Sequence, residues 1–370
     1  MKIGWIWKNE NIDLKYPYAW LTLGVRGAGK SAFLEHLAEL HLEEGNKVLD
    51  LFGAKSGEGL AWLRSKWVDS KKILLLHGEN AIIESKIDVD FKKVSELSLK
   101  DFEEYDIIIN SSPLYQSLDD EFNAVNLIIE KLWKRTKWNK LIFTLVREGA
   151  NLLYSRLKVA ENQTLAKAFL TYWLRESRHV GCSLGIDSQR FTALDIDVRN
   201  VCDFLVFKAL GHIGLPHELF WIYRFIKPDW IQNMKQKFFV ILSRKGSLGI
   251  GVFPLTEWHA KEGEGLLSKI GLKITFEQKP EEPKARGIFT TIGDEEHAKI
   301  ISMYVEELKG MHQIADELNR SSGSIKLQID KHNHAVEKLG YCPACRRAKS
   351  KFESLNVFKY KKELIVSKNE

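Results

Sequence analysis

Eight residues near the N-terminus have the types and spacing of a phosphate-binding loop. Residues 24–31 read GVRGAGKS and match the pattern G-x-x-x-x-G-K-S/T. Glycines let the backbone curl so that its N–H groups point at phosphate oxygens, and a helix that starts at Lys30 adds the positive end of its dipole. Lys30 is expected to reach the β- and γ-phosphates and the Ser31 hydroxyl to bind magnesium. The residues predicted to bind ATP are Gly24, Arg26, Gly27, Ala28, Gly29, Lys30, Ser31 and Ala32.

Polar side chains at the tips of two later apolar segments are candidates for the rest of the site. P-loop ATPases usually carry Asp-Glu at the end of a later strand, one residue to hold magnesium and one to polarise water. Here LIFTLVREG ends in Arg147 and Glu148, so Glu148 keeps the place of the base and Arg147 replaces the aspartate. A surface helix cap is the alternative role of Glu148. The segment CSLGIDSQR ends near Gln189, which is predicted to sense the γ-phosphate.

The elements that must position these residues are indicated by apolar runs without period-2 alternation. Such runs are typical of strands buried on both faces of a parallel sheet. They cover residues 18–25, 47–52, 72–77, 106–110, 141–146, 182–187 and 204–207. Amphipathic helical patterns lie between them, and residues 237–255 indicate a hairpin. Strands that alternate with helices predict a doubly wound α/β domain with a mainly parallel sheet.

The order of these motifs resembles the FtsK–HerA superfamily of ring ATPases, most closely its archaeal and viral branch of conjugation and genome-packaging motors. The resemblance covers roughly residues 15–260. Its specific part is Arg178-x-x-Gly181 leading into Ser188–Gln189, with Arg199–Asn200 before the last strand. It implies a RecA-like P-loop NTPase fold, a hexameric ring, and ATP-driven translocation of duplex DNA.

The resemblance also implies roles for single residues. Lys30, Ser31, Glu148 and Gln189 take the phosphate, magnesium, base and sensor roles. One of Arg178, Arg190 and Arg199 is implied as an arginine finger for the neighbouring subunit, with ordinary salt-bridging as the alternative. Arg147 departs from the family pattern, so Asp106 or Asp187 would have to stand in for the missing aspartate.

The segment IADELNRSSGSIKLQI, residues 314–329, resembles the helix-turn-helix of many DNA-binding regulators. The early residues of a helix in the major groove face the DNA. In this chain they are Ser321, Ser322, Ser324, Lys326, Gln328 and Lys331. Hydroxyls and amines suit phosphate contacts as well as base reading, so strong sequence specificity is not predicted. A three-helix interaction domain is the alternative.

A Cys-x-x-Cys motif, Cys342 to Cys345, follows directly and is half of a common zinc site. Another ligand has to come from His332, His334 or a second chain, and the hypothesis chosen here is Cys342, Cys345 and His334. Reduced cysteines or a redox pair are the alternatives. The two other cysteines lie in the predicted ATPase domain.

The charge of the chain is concentrated at its C-terminal end. The 370 residues are 44% hydrophobic and 28% charged, which excludes wholesale disorder, and carry a net charge of +6. Residues 320–370 hold twelve basic and five acidic side chains, a net charge of +7. A localised basic excess indicates a nucleic-acid partner, with a solvated tail as the alternative. No apolar run reaches the ~18 residues of a membrane span, so we expect a soluble protein in the cytoplasm, or associated with a virion or plasmid inside the cell.

The predicted organisation is an ATPase domain at 1–276 with its core at about 15–260, a polar linker at 277–292, a helix-turn-helix at 293–340 and a basic tail with the CPAC motif at 341–370. The predicted function is an ATP-driven duplex DNA translocase of the genome-packaging or conjugative-transfer type, anchored to DNA by the helix-turn-helix. The alternative is an ATP-switched DNA-binding regulatory or partition-type protein with little turnover, which Arg147 favours. A small-molecule kinase is a third class.

Overall fold

The computed structural model describes residues 2–53, 57–136, 138–154, 161–260, 265–277, 292–307 and 309–347. The chain divides into two compact units, Met1–Glu277 and Gln278–Glu370. The predicted linker and the basic residues after position 347 lie mostly or wholly outside the described residues.

A large sheet forms the centre of the first unit. Its strands and those of a second, small sheet are β1 Lys2–Trp7, β2 Ala19–Leu23, β3 Lys47–Phe52, β4 Ile73–His77, β5 Ala81–Ser85, β6 Asp90–Lys93, β7 Ile107–Asn110, β8 Ile142–Val146, β9 Cys182–Ser188, β10 Phe204–Phe207, β11 Phe238–Ser243, β12 Leu248–Val252 and β13 Leu272–Phe276. Eleven strands of the described residues form the large sheet, in the order β1-β12-β11-β10-β2-β9-β8-β3-β7-β4-β6. The small sheet pairs β13 with β5.

The part of the large sheet from β10 to β6 is parallel. It contains a strand at each of the seven predicted positions, and β2, β3, β4, β8 and β9 are buried along their whole length. The predicted fold class, an α/β RecA-like fold with a mainly parallel sheet, is confirmed. Strand β9 lies between β2 and β8, so the tips of these three strands are neighbours at one edge of the sheet.

The other end of the sheet is antiparallel. The predicted hairpin is formed by β11 and β12, and β11 joins the parallel part through β10. Strand β1, at the N-terminus, adds to β12 and closes this side of the sheet. The hairpin therefore extends the sheet beyond β10, which separates it from β2, the strand that precedes the phosphate loop.

Helices connect the strands of the first unit. They are α1 Lys30–Glu43, α2 Leu99–Glu104, α3 Leu118–Trp133, α4 Gly149–Leu152, α5 Glu161–Glu176, α6 Ile196–Val201, α7 Pro228–Gln232 and α8 Leu266–Lys269. Helix α1 packs against β2, β3, β8 and β9. Ser117 caps α3 by accepting a hydrogen bond from the N–H of Asp120, and the three acids of its first turn complement the helix dipole. Trp20 on β2 stacks on Phe204 of β10 in the core, with 4.3 Å between ring centroids.

The second unit contains three helices within its described residues: α9 Asp294–Val305, α10 Met311–Leu318 and α11 Ser322–Leu339. Helix α10 ends at Asn319, whose φ of 49° turns the chain. The Arg320 guanidinium in the turn is bound to both carboxylate oxygens of Glu296, at 2.8 Å each. The core is small and consists of Ile300, Ile301, Met303, Ile314, Ala315, Ile325 and Ile329.

Within the part of the chain that the structure describes, no helix is both long enough and apolar enough to cross a membrane.

Candidate nucleotide-binding site and the helical unit

The GVRGAGKS motif forms the turn between β2 and α1. Gly27 and Gly29 adopt φ angles of 74° and 83°, which only glycine takes without strain, and α1 begins at Lys30. The Lys30 side chain is 7% exposed and its Nζ donates to the carbonyl oxygen of Val25 at 3.2 Å. The lysine therefore folds back over the loop, where an anion at the helix N-terminus would meet it.

A carboxylate lies beside the magnesium-binding candidate Ser31, and it belongs to Asp187. The Ser31 hydroxyl donates to Asp187 Oδ2 at 3.0 Å, and the N–H of Glu148 donates to Asp187 Oδ1 at 2.5 Å. Asp106, the other candidate, precedes β7, so it lies at the amino ends of the parallel strands and accepts a hydrogen bond from the Lys72 N–H. Of the two stand-ins, only Asp187 is at the phosphate loop.

The buried surroundings of Asp187 raise the pKa of its carboxyl group. Burial raises the pKa of Asp187 to about 6, the Lys30 charge lowers it, and the Glu148 charge raises it. The N–H of Glu148 binds the Asp187 carboxylate directly, so the two residues are adjacent. The Ser31 hydroxyl and the Asp187 carboxylate that it contacts are hard oxygen donors of the kind that suits Mg²⁺.

Glu148 lies at the tip of β8 in a left-handed backbone conformation, with φ of 49°, and begins the short helix α4. The sharp turn depends on Gly149, because a Cβ there would lie 2.4 Å from Ile186 Cγ2 and 2.9 Å from the Asp187 carbonyl oxygen. Glu148 is half-buried, whereas its neighbour Arg147 is fully buried. The turn thus sends these two consecutive side chains into different surroundings.

Arg147 belongs to a buried ionic cluster formed by Glu35, Asp50, Arg147 and His259. Its guanidinium binds Glu35 at 2.6 Å and Asp50 at 2.7 Å, and both acids are as buried as the arginine. His259 Nδ1 lies 2.8 Å from Glu35 Oε2. The side chain of Arg147 therefore lies between α1 and β3 and binds one acid from each of them.

The pKa values in this cluster follow from its charges. Burial alone would raise the pKa of Glu35, but the charge of Arg147 and the hydrogen bond to His259 lower it overall. Burial opposes the charged form of His259, and the hydrogen bond and charge of Glu35 nevertheless raise its pKa. Glu35 thus lies between the Arg147 guanidinium and the His259 ring, and both lower its pKa.

The sensor candidate Gln189 and the neighbouring Arg190 are exposed at the tip of β9. Both line an open cleft of about 360 Å³ that also contains Leu23, the last residue of β2. The cleft thus adjoins the strand that leads into the phosphate loop. This position permits the predicted sensor role and leaves Arg190 accessible to another chain.

The other two arginine candidates have partners within the described residues. The Arg178 guanidinium is bound to Asp203, whose second oxygen accepts the Ala19 N–H at 2.9 Å. Ala19 begins β2, so Arg178 lies at the edge of the sheet opposite its own phosphate loop. The Arg199 guanidinium lies 4.7 Å from the centre of the Phe191 ring.

Two residues at the phosphate loop were missed by the sequence reasoning. Gln236, between α7 and β11, donates its amide N–H to the Gly27 carbonyl oxygen at 2.7 Å. Lys208, directly after β10, is fully buried and donates to the carbonyl oxygens of Gln236 and Phe238. Burial lowers the pKa of Lys208 to about 7. The apolar run FLVFK, in which a lysine ends a buried strand, was the available signal for Lys208.

The second unit, with helices α9, α10 and α11, is called the helical unit. Five of its six predicted DNA-facing residues lie at the surface or close to it, and Gln328 does not. Ser321 caps α11 by accepting a hydrogen bond from the Ser324 N–H at 3.1 Å, and Lys326 and Lys331 are exposed. Gln328 is 8% exposed and its Oε1 lies 2.9 Å from His297 Nδ1. The prediction for Gln328 is wrong, because this position faces α9.

The metal-ligand hypothesis also needs a correction. His334 is exposed on α11, away from the cysteines, whereas His332 is 1% exposed and its Nδ1 lies 3.3 Å from Cys345 Sγ. His297 of α9, which sequence reasoning missed, places Nε2 3.4 Å from Cys342 Sγ. On a helix, residues two apart point in different directions, so His332 and His334 could not both face the cysteines.

The fold and the phosphate loop define an α/β protein of the RecA-like P-loop class. In a comparison with solved structures, the chain is similar to the genome packaging NTPase B204 of Sulfolobus turreted icosahedral virus 2 in complex with ATP-gammaS, at 15% identity over 65% of this chain and 98% of that one, with a TM-score of 0.36. It is similar to the DNA-packaging ATPase B204 of Sulfolobus turreted icosahedral virus at 17% identity over 65% and 99%, with a TM-score of 0.37.

A further similar structure is the pCW3 conjugation coupling protein TcpA in its monomer form with ATPgS, at 13% identity over 68% of this chain and 65% of that one, with a TM-score of 0.39. No family model and no curated protein sequence matches the chain.

Proposed function

We propose that the chain is an ATP-hydrolysing motor of the FtsK–HerA type that moves duplex DNA in genome packaging or conjugative transfer. The observation that carries the proposal is the contact of Ser31, Asp187 and Glu148 at the tips of adjoining elements. A binding-only phosphate loop needs Lys30 and the backbone N–H groups. A hydrolase also needs a carboxylate that can accept a proton from water, and Glu148 provides it.

Each residue has one task in this reaction. Lys30 and the loop backbone hold the β- and γ-phosphates, and Ser31 with Asp187 would hold magnesium, which neutralises charge that develops on the phosphates. Glu148 takes a proton from water, whose oxygen bonds to the γ-phosphorus as the bond to the ADP oxygen breaks. Gln189, at the tip of β9, detects the γ-phosphate and transmits its loss to the sheet.

The ring and the arginine finger remain part of the proposal. A finger acts on the nucleotide of the neighbouring subunit, so it has to be accessible. Arg190 is exposed beside Gln189, and Arg178 is exposed at the opposite sheet edge. Of these, Arg178 fits a head-to-tail ring better, because it lies far from its own phosphate loop. Arg199 stays a candidate with its guanidinium on Phe191.

Duplex DNA is the proposed partner of the helical unit. Lys326 and Lys331 are exposed on α11, next to the capped N-terminus that includes Ser321. Contacts from these groups to phosphates anchor a protein to DNA without reading the base sequence. The basic residues after position 347 add to the positive charge of this end of the chain.

An ATP-switched DNA-binding regulator is the second candidate function. Its main support was Arg147 in the place of the magnesium aspartate. The burial of Arg147 between Glu35 and Asp50, together with Asp187 beside Ser31, weakens that argument. The consecutive helices α10 and α11, joined by the turn at Asn319, are the observation that favours this alternative.

Steady-state ATP hydrolysis with and without duplex DNA separates these candidates. The motor predicts hydrolysis that DNA stimulates and that Lys30→Ala or Glu148→Gln abolishes, with a loss of about 10²–10⁴ for removal of the base. Glu148→Gln should still bind ATP. A rate that duplex DNA does not raise would exclude the motor and leave the switch, and a rate raised by a small-molecule phosphate acceptor alone would indicate a kinase.

A further inference from the structure

Four potential metal ligands converge in the helical unit. They are His297 on α9, His332 on α11, and Cys342 and Cys345 in the segment that follows α11. One ligand atom from each lies within 4.8 Å of all the others. The two cross-pairs, His297 Nε2 to Cys342 Sγ and His332 Nδ1 to Cys345 Sγ, are 3.4 and 3.3 Å apart.

These separations match those around a tetrahedral zinc ion. Zinc–sulfur bonds of about 2.3 Å and zinc–nitrogen bonds of about 2.0–2.1 Å at the tetrahedral angle put nitrogen and sulfur about 3.6 Å apart. Two imidazoles and two thiolates are also the donor set that selects zinc, since soft sulfur excludes magnesium and calcium. The cluster thus has the number, type and spacing of ligands of a Cys₂His₂ site.

The surroundings hold the ligands in place. His297, His332 and Cys342 are 4%, 1% and 3% exposed. Gln328 Oε1 lies 2.9 Å from His297 Nδ1, so the amide oxygen can accept a hydrogen bond from the Nδ1–H group. The lone pair of Nε2 then faces the cysteines. The Cys342 N–H donates to the Arg347 carbonyl oxygen at 2.8 Å, which closes the turn that presents both sulfurs.

We propose that His297, His332, Cys342 and Cys345 bind one structural zinc ion. Four protein ligands leave no position open for substrate, so the site is not catalytic. The ion joins α9 to the end of α11 in a unit with a core of seven apolar side chains, where the free energy of metal binding adds to the free energy of folding. Zinc therefore fixes the helix that carries Lys326 and Lys331.

The first test is elemental analysis of the full-length protein purified without chelator. The expected result is one zinc per chain, with loss of zinc in His297→Gln, His332→Gln and Cys342→Ser. His334→Gln is the matched control, because His334 is exposed on the same helix as His332, and it should keep its zinc. Less than about half an equivalent in the wild type, iron in place of zinc, or a Cys342–Cys345 disulfide found by mass spectrometry would overturn the proposal.

A second measurement does not depend on the folding of variants. Wild-type protein reloaded with Co²⁺ should show the d–d bands of tetrahedral cobalt together with thiolate charge-transfer bands. Octahedral cobalt without charge transfer would contradict the site.

Gln328→Leu should keep the four ligands but weaken zinc binding about 10–100-fold in a chelator competition, and an unchanged affinity would contradict the role of Gln328. ATP hydrolysis resides in the other unit, so a failure here leaves the motor proposal standing.

Discussion

At the scale of single residues, Asp187 on β9 brings a carboxylate to Ser31 while the tip of β8 carries Arg147. Strand β8 lies beside β9 with Val146 opposite Ile186, so the next residues, Arg147 and Asp187, are also neighbours. The carboxylate of Asp187 on β9 thus reaches Ser31, although β8, whose tip usually carries the aspartate, carries an arginine there. Burial raises the pKa of Asp187 to about 6, and the charge of Lys30 opposes this rise.

Asp187→Asn is therefore expected to impair magnesium-dependent hydrolysis. The amide keeps the size of the side chain but removes the charge that positions Ser31 and the cation. We expect the magnesium concentration for half-maximal rate to rise and the rate to fall about 10–100-fold, the usual cost of losing a partner of a metal ligand. Steady-state ATPase assays over a magnesium titration measure both.

Asp106→Asn is the matched control for this experiment. Asp106 was an equal candidate on sequence grounds but lies at the opposite edge of the sheet. Its replacement should leave the magnesium dependence at the wild-type value. Equal losses in the two variants would contradict the assignment of Asp187.

At the scale of elements, the buried ionic cluster connects α1, β3, β8 and the segment after β12. Glu35 of α1 and Asp50 of β3 both bind Arg147, and Thr256 and His259 bind Glu35 from the other side. Glu35 lies on the helix that begins at Lys30. The cluster therefore holds the phosphate-loop helix against the sheet.

Arg147→Met should destabilise the first unit strongly, because it leaves Glu35 and Asp50 charged and buried without their partner. Loss of one member of a buried ion pair costs about 3–5 kcal/mol of unfolding free energy. All 11 tryptophans lie before residue 277, so tryptophan fluorescence in urea reports this unit. Lys72→Met, which removes an exposed pair with Glu104, should cost less than about 1 kcal/mol; equal costs would mean that the cluster is not structural.

The pH dependence of stability tests the same cluster through His259. The hydrogen bond and charge of Glu35 raise the folded pKa of His259 above its usual 6.5, against the opposing effect of burial. The stabilisation is therefore complete below the unfolded pKa and is lost as pH rises through the folded pKa. The unfolding free energy of the wild type relative to His259→Gln should fall over that range. In a Glu35→Gln background, burial and the charge of Arg147 lower the pKa of His259, so the difference should no longer fall as pH rises. An equal fall in both backgrounds, or a wild-type difference that grows with pH, would contradict the assignment.

Much of this arrangement follows from local sequence, and some of it does not. Strands buried on both faces are continuous apolar runs, so the seven central strands were predictable from the apolar runs of the local sequence. Strand β1 was not predicted, because its partner β12 is more than 240 residues away. The contact of Asp187 with Ser31 depends on the register of neighbouring strands, and His297 joins the cysteines only through the packing of α9 on α11. Both depend on contacts between distant segments, which spacing along the chain does not reveal.

At the scale of the whole molecule, the uneven charge predicts how the chain meets DNA. The last 51 residues carry a net charge of +7, whereas the whole chain carries +6. The rest of the chain is therefore close to neutral. Part of this charge is already paired, since Arg320 binds Glu296 and Arg347 binds Glu306. The exposed Lys326 and Lys331 of α11, with the lysines beyond residue 347, are the positive groups expected to meet phosphates.

Binding of duplex DNA should therefore depend steeply on salt. Each lysine that contacts a phosphate releases counterions, so removing one lowers the slope of log K against log salt by about 1. Lys326→Ala with Lys331→Ala should reduce the slope by about 2 and weaken binding to duplexes of different sequence alike. Fluorescence anisotropy across a salt series measures both quantities. Lys299→Ala, an exposed lysine on α9, should keep the wild-type slope; a loss confined to one duplex sequence would show that α11 reads bases instead of anchoring to the backbone.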